Sequence, residues 1–186
     1  NVTLTGLTIQ NGEAGVGGGI LNEGNLVLNG CTIKSNRAVT GGGGIHTSGT
    51  LTVNDSVVAG NRASSAGYGE ANLAESAGGG VFLSGGTLTL NRSTVADNYA
   101  EYYGGGLWSE HGTVALSQSS ILHNAASDGG GVSSVNCTFG VTNSTIVGNA
   151  ASFVGFGSFV PSGGGLRIES GTFTLVNSTV AYNSAG

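Results

Sequence analysis

The sequence predicts an all-β chain folded as a right-handed, single-stranded parallel β-helix, a solenoid of about seven coils of ~25 residues. Three observations carry this. One pattern of residues repeats six times, apolar side chains alternate at period two within each copy, and glycine reaches 37 of 186 residues. The glycines do not recur every third position, which excludes collagen, and too many Val, Leu and Ile accompany them for a flexible linker.

Aligned on their glycine triplets, the copies read "GGGILNEGNLVLNGCTIKSN", "GGGIHTSGTLTVNDSVVAGN" and so on to "GGGLRIESGTFTLVNSTVAYN", with a partial copy, "VTLTGLTIQN", in front. They close on Asn11, Asn36, Asn61, Asn98, Asn124, Asn149 and Asn183, at intervals of 25, 25, 37, 26, 25 and 34 residues. The two long intervals hold insertions at 64–77 and 152–162 of an otherwise single β-helix unit covering 1–186. A unit of this length buries its apolar face only by stacking on its neighbours.

Each element follows from its column. After the triplet, a short strand points Ile20, Ile45, Val81, Leu107, Val132 and Leu166 inward. A second strand alternates as Leu26/Leu28, Leu51/Val53, Leu88/Leu90, Val114/Leu116, Phe139/Val141 and Phe173/Leu175. A third buries Ile33, Val58, Val95, Ile121, Ile146 and Val180, giving three short strands per copy. The closing asparagines, Asn11 together with Asn36, Asn61, Asn98, Asn124, Asn149 and Asn183, are expected to form a structural ladder of stacked amides at the turn. Alanine two residues later (Ala38, Ala63, Ala100, Ala126, Ala151, Ala185) marks a corner with room for a methyl group. The glycines at 24, 49, 86, 112 and 171 point to a turn with positive φ, a slot that Cys137 fills in the sixth coil. Cys31, in the second coil, takes the place of Ser56, Ser93, Ser119, Ser144 and Ser178. Four coils, about 19 Å, separate the two cysteines, beyond disulfide reach.

Composition bounds function more loosely. Charged residues are 8%, net charge is −5 and Lys34 is the single lysine, which argues against nucleic acid or an anionic membrane surface as partner. No apolar run is long enough for a membrane span, so no direct membrane insertion is expected. The chain opens and closes within the repeat, as a segment of a larger protein would. His46, His111 and His123 fall in different columns, so neither a metal site nor a cofactor is expected. Several Asn-x-Ser/Thr triplets match a glycosylation sequon, but turns and outer strand faces use the same residues.

The "GGG[I/L/V]" motif followed by "[V/I]xxN" resembles the "GGA[I/L/V] … FxxN" repeat of bacterial polymorphic outer-membrane proteins and related surface β-helices, with a pectate-lyase-like fold. The likeness covers nearly the whole chain. This chain carries glycine in place of the alanine and Val or Ile in place of the phenylalanine. The resemblance implies an extracellular or cell-surface bacterial protein, adhesin-like in several relatives. The fold itself hosts lyases, hydrolases, adhesins and stalks.

Both insertions follow a closing asparagine and precede a glycine triplet, so they emerge on one side of the rod. Between them lies a floor of Tyr99, Glu101, Tyr102, Tyr103, Ser127 and Asp128. With Tyr68, Phe153 and Phe156 on the insertions, and Phe82 and Trp108 just past the corner, these aromatics are the candidate ligand-binding residues, suited to a glycan or a host-surface ligand. Glu101 and Asp128, on adjacent coils, are the candidate catalytic acids of a polysaccharide-active enzyme, a glycoside hydrolase or lyase. Strand alternation turns Trp108 outward, in the column Leu21, His46, Phe82, Trp108, Ser133, Arg167. Outward Thr-x-Thr pairs at 3/5, 50/52, 87/89 and 172/174 raise ice binding as a third reading. Structural display and binding ranks first, the enzyme second and ice binding third.

Overall fold

A computed structural model describes residues 1–65, 76–152 and 160–186; Tyr68, Phe153 and Phe156 lie outside them. Among the described residues every regular element is a strand, and coil pairs with coil in parallel register. The chain is a parallel β-helix.

The second to fifth coils each contribute four short segments, one more than the repeat predicts. In the third coil they are Ile45–Thr47, Thr50–Asn54, Val57–Ala59 and Arg62–Ala63. Among the described residues, the first two segments of all coils share an eleven-stranded sheet, while the third and fourth each build a seven-stranded one. In the sixth and seventh coils the first two run together as Val132–Thr142 and Leu166–Val176. The predicted inward columns are paired in register and buried: Ile45, Val81, Leu107 and Val132 on one face, Ile33, Val58, Val95, Ile121 and Ile146 on another. Phe139 is the largest wholly buried side chain among the described residues and meets Phe173 at 5.8 Å between ring centroids.

Three of the four corners are made by left-handed residues, one per coil at each; the corner between the first and second segments is irregular, with none in the second and third coils and two in the fourth and seventh. The first glycine of every triplet has φ between 59° and 70° (Gly17, Gly42, Gly78, Gly104, Gly129, Gly163), a region open to glycine at no steric cost. The second and third have no room for a side chain. A Cβ on Gly43 would stand 2.4 Å from Gly79 O, and one on Gly44 2.7 Å from Gly80 O. The triplet is therefore one turn residue followed by two positions of close coil-to-coil approach.

The asparagine ladder forms as expected and does more than pair amides. Asn124 Oδ1 accepts from both the backbone N–H (3.0 Å) and the Nδ2 (2.9 Å) of Asn98. Its own Nδ2 donates to Asn149 Oδ1 (3.0 Å) and to the Val95 carbonyl (3.0 Å). The same set recurs from Asn36 to Asn183. A second ladder runs through the serines: the N–H of Cys31, Ser56, Ser93, Ser119 and Ser144 each donates to the hydroxyl one coil on. Cys31 lacks a preceding rung and caps this ladder; both cysteines are free and buried.

Three expectations are corrected. Asn11 does not belong to the amide ladder. Register pairs Gln10 with Lys34, so Gly12 occupies the slot, its N–H donating to Asn36 Oδ1 at 2.9 Å. Asn11 instead takes the left-handed corner position (φ 59°) shared by Ser35, Asp97 and His123. The glycine column at 24, 49, 86, 112 and 171 has positive φ only at Gly86 and Gly171. At Gly49 the need is space, since a Cβ would meet Gly24 O at 2.1 Å. Cys137 fits that slot because Asn136 before it takes the turn (φ 54°), while its Sγ accepts from Gly112 N–H and donates to the Val135 carbonyl. Finally, Thr3 pairs through Val27 with Thr52, and Thr5 through Asn29 with Asn54, so the first Thr-x-Thr pair is two residues out of register with the others.

Candidate functional site

The outward column of the first segment builds an aromatic file. His46 pairs with Phe82 and Phe82 with Trp108 in parallel register, so their rings rise from adjacent strands about 4.8 Å apart. His46 and Phe82 stack at 4.8 Å with planes 9° apart. Phe82 and Trp108 follow at 6.4 Å and 44°, within the range of favourable tilted aromatic pairs. Around the corner Tyr103 meets Trp108 at 5.2 Å, and Tyr102 meets Tyr103 at 6.4 Å. Arg167 lies over Tyr103 at 5.6 Å. Trp108 is outward, half-buried, and lodged between Phe82 and Tyr103.

The file forms one wall of a concavity of about 330 Å³, at the small end of the roughly 300–1,000 Å³ typical of ligand pockets. His46, Phe82 and Trp108 line that wall, and Ser84 and Glu110, two residues along the same strands, close one end. Val16, Thr40 and Gly41, from the corners before the second and third coils, line the rest. Phe82 reaches so near Gly41 that a Cβ there would meet its ring at 2.7 Å. The imidazole of His46 is held below its usual pKa, first by burial; a backbone hydrogen bond with Gly41 and the charges of Glu110 and Glu23 oppose that shift. Its Nδ1 is buried with no hydrogen-bond partner among the described residues, so a second N–H would find no acceptor.

The predicted floor is put together differently. Glu101 Oε2 accepts from Ser65 N–H (2.9 Å), Ser64 Oγ (3.0 Å) and Ser65 Oγ (3.1 Å), at the start of the first insertion. Asp128 accepts from Ser162 N–H (3.1 Å) and Oγ (2.6 Å), at the end of the second. Its other oxygen pairs with Arg167 Nε at 2.7 Å, and its side chain is almost wholly buried. The two candidate acids thus fasten the bases of the two insertions, each with its own partners. Ser127 Oγ donates to the Glu101 carbonyl at 2.5 Å. Tyr99 faces a different side of the rod, in the column of Arg37 and Arg62, with the Arg62 guanidinium 4.3 Å above its ring. The phenol of Tyr102 is pushed up, by burial first and then by Glu101.

Of the predicted ligand-binding residues, Phe82 and Trp108 line the concavity, while Tyr102 and Tyr103 extend the ring file beyond it. Sequence reasoning missed Glu110 and Ser84, which the period-two alternation from Trp108 and Phe82 would have found. Val16 and Thr40 stand in corner loops that carry no periodic signal. On the neighbouring face, Thr50, Thr87, Thr113, Thr138 and Thr172 form an unbroken outward column over five coils. The column beside it is interrupted at Ala115 and Gly140. No group of His, Cys, Asp or Glu among the described residues is placed to hold a metal ion. No protein family, curated protein or solved structure matches this chain.

Proposed function

We propose that this β-helix is an extracellular or cell-surface display and binding module, adhesin-like in role, and that its ligand is a carbohydrate held in the concavity beside Trp108. The observation that carries this reading is the file of His46, Phe82 and Trp108 along a concavity that also offers Ser84, Thr40 and Glu110. Flat ring faces suit the C–H faces of a sugar, and a few fixed hydroxyl and carboxylate groups suit its hydroxyls. The rings stand on strands locked by two ladders, so little ordering cost falls on the protein when it binds. The repeat's likeness to bacterial surface β-helices supports the proposed location. The engagement of Glu101 and Asp128 by the insertions favours binding over hydrolysis.

The test uses the single tryptophan as its own reporter. A glycan array identifies binders, and titration of each against Trp108 fluorescence gives its affinity. Phe82→Ala is expected to weaken binding by about 2 kcal/mol, roughly 30-fold, as loss of a central aromatic anchor does. A folded sample that binds no glycan, or binds one with no change in Trp108 emission and no effect of Phe82→Ala, would refute the reading.

A further inference from the structure

The concavity has a sign. Among the described residues its lining holds two ionisable side chains, Glu110 and His46, and burial disfavours the charged imidazole. No lysine or arginine lines it. The chain's cations are engaged or distant. Arg37 pairs with Glu13 at 2.7 Å, Arg92 with Asp55 at 2.7 Å, and Arg167 with Asp128 at 2.7 Å. Arg62 covers Tyr99, and Lys34 belongs to the third segment of its coil, in a different sheet. The acids divide in a complementary way. Among the described residues Glu13, Asp55, Asp128 and Glu169 have arginine partners and Glu101 has serine donors. Among the described residues the side chains of Glu23, Asp97 and Glu110 have neither. Two of those three, Glu110 and Glu23, stand close enough to His46 to act on its charge. An unpaired, half-buried carboxylate thus borders the rings of Phe82 and Trp108, whose faces are themselves electronegative.

Resting on the carbohydrate reading above, we propose that this site selects a sugar bearing a free ammonium group, seated over the Phe82 and Trp108 faces with its charge toward Glu110, and disfavours uronates. The ammonium donates a charge-assisted hydrogen bond to the carboxylate, and the ring faces add cation–π attraction. A uronate would meet the same carboxylate with like charge. An N-acetylated sugar keeps the ring shape and loses the charge, which makes it the matched comparison.

The experiment is a Trp108 fluorescence titration near neutral pH and low salt with three oligosaccharides: a glucosamine oligomer, its N-acetylated counterpart and an oligogalacturonate. Each is run on the folded protein and on Glu110→Gln. The glucosamine oligomer is expected to bind at least about tenfold tighter than its acetylated counterpart. That ratio should fall toward one in Glu110→Gln and shrink as salt rises. Equal affinities, a preference that survives Glu110→Gln, or tighter binding of the uronate would overturn the ammonium proposal and leave the carbohydrate reading standing. Failure of all three sugars on a sample shown to be folded by circular dichroism would overturn the ammonium proposal, and the carbohydrate reading falls with it only if the glycan array is also blank.

Discussion

Truncating one rung in the middle of the asparagine ladder tests whether the amides hold the coils together or merely fill a turn. In Asn124→Ala four hydrogen bonds go: two accepted by Oδ1 from Asn98 and two donated by Nδ2 to Asn149 and Val95. The Asn124 side chain is wholly buried, and so is Asn98, whose backbone N–H bonds Asn124 Oδ1. Asn98 Nδ2 keeps its bond to the Val58 carbonyl, and Asn149 Oδ1 keeps the Asn124 N–H. The four bonds at about 1 kcal/mol each, with an orphaned buried N–H, put the loss at about 4–6 kcal/mol. That is a large fraction of the roughly 5–15 kcal/mol that stabilises an ordinary domain. Asn183→Ala removes the same kind of side chain in the seventh coil, where Asn183 is only half-buried and water replaces the lost partners, at about 1–2 kcal/mol. Urea unfolding followed by far-ultraviolet circular dichroism separates them, with the slope against denaturant checking that both unfold the same surface. An Asn124→Ala loss below about 2 kcal/mol at unchanged slope, or one no larger than that of Asn183→Ala, would refute the ladder's role.

Gly43→Ala should cost about 3 kcal/mol or more, because its methyl would fall 2.4 Å from Gly79 O and 2.5 Å from Arg62 C. Gly15→Ala, into open space, should be neutral or slightly stabilising; equal effects in thermal melts would contradict the packing argument. Arg167→Ala leaves the buried Asp128 carboxylate without its cation and should cost about 3 kcal/mol, whereas an unchanged urea midpoint would show the pair to be idle. His46 titrates below its usual 6.5 in the folded state, so the unfolded chain binds the proton more readily. Its contribution is therefore fully present above pH 6.5 and is lost as pH falls through 6.5 toward the lowered value. Urea midpoints taken between about pH 8 and pH 5 should decline less steeply in His46→Gln than in the parent, and parallel curves would show that His46 carries no such linkage.

The fold was legible because a β-helix repeats its physics. A column such as Ile33, Val58, Val95, Ile121, Ile146 reports one environment five times, so alternation at period two and a fixed interval are enough to place it. The amide ladder was legible for the same reason, and its single error, Asn11, arose where the partial first copy offered no glycine triplet to align on. The corner geometry was less accessible. Gly49 and Gly86 look alike in sequence, yet one is required by the Gly24 carbonyl 2.1 Å away and the other also by a φ of 71°. The site was half legible. Alternation turned Phe82 and Trp108 outward, but nothing in residue order reveals that Glu101 and Asp128 reach to Ser65 and Ser162, across insertions of no periodicity.

The site's chemistry comes from what the repeat does not fix. Inward positions tolerate little variation, since each must match the coil above and below. Outward positions are free, and along the first segment they change from His46 to Phe82 to Trp108 to Ser133 to Arg167 in successive coils. The three ring-bearing strands span only about 10 Å along the axis, the scale of a short oligosaccharide rather than of a protein interface. Beyond Trp108 the file ends: Ser133 is buried, and Arg167 turns to Asp128, Glu169 and Tyr103. That arginine therefore closes the corner instead of entering the concavity. Asp128 holds the Nε of that arginine, while Glu169 holds a terminal nitrogen. If the Asp128 pair is what keeps the guanidinium off the rings, Asp128→Asn should weaken ligand binding as well as stability, whereas Glu101→Gln, which weakens the grip on Ser65, should affect stability alone. Titration of the two variants against Trp108 fluorescence distinguishes these outcomes, and equal affinities would sink the idea that Asp128 restrains Arg167.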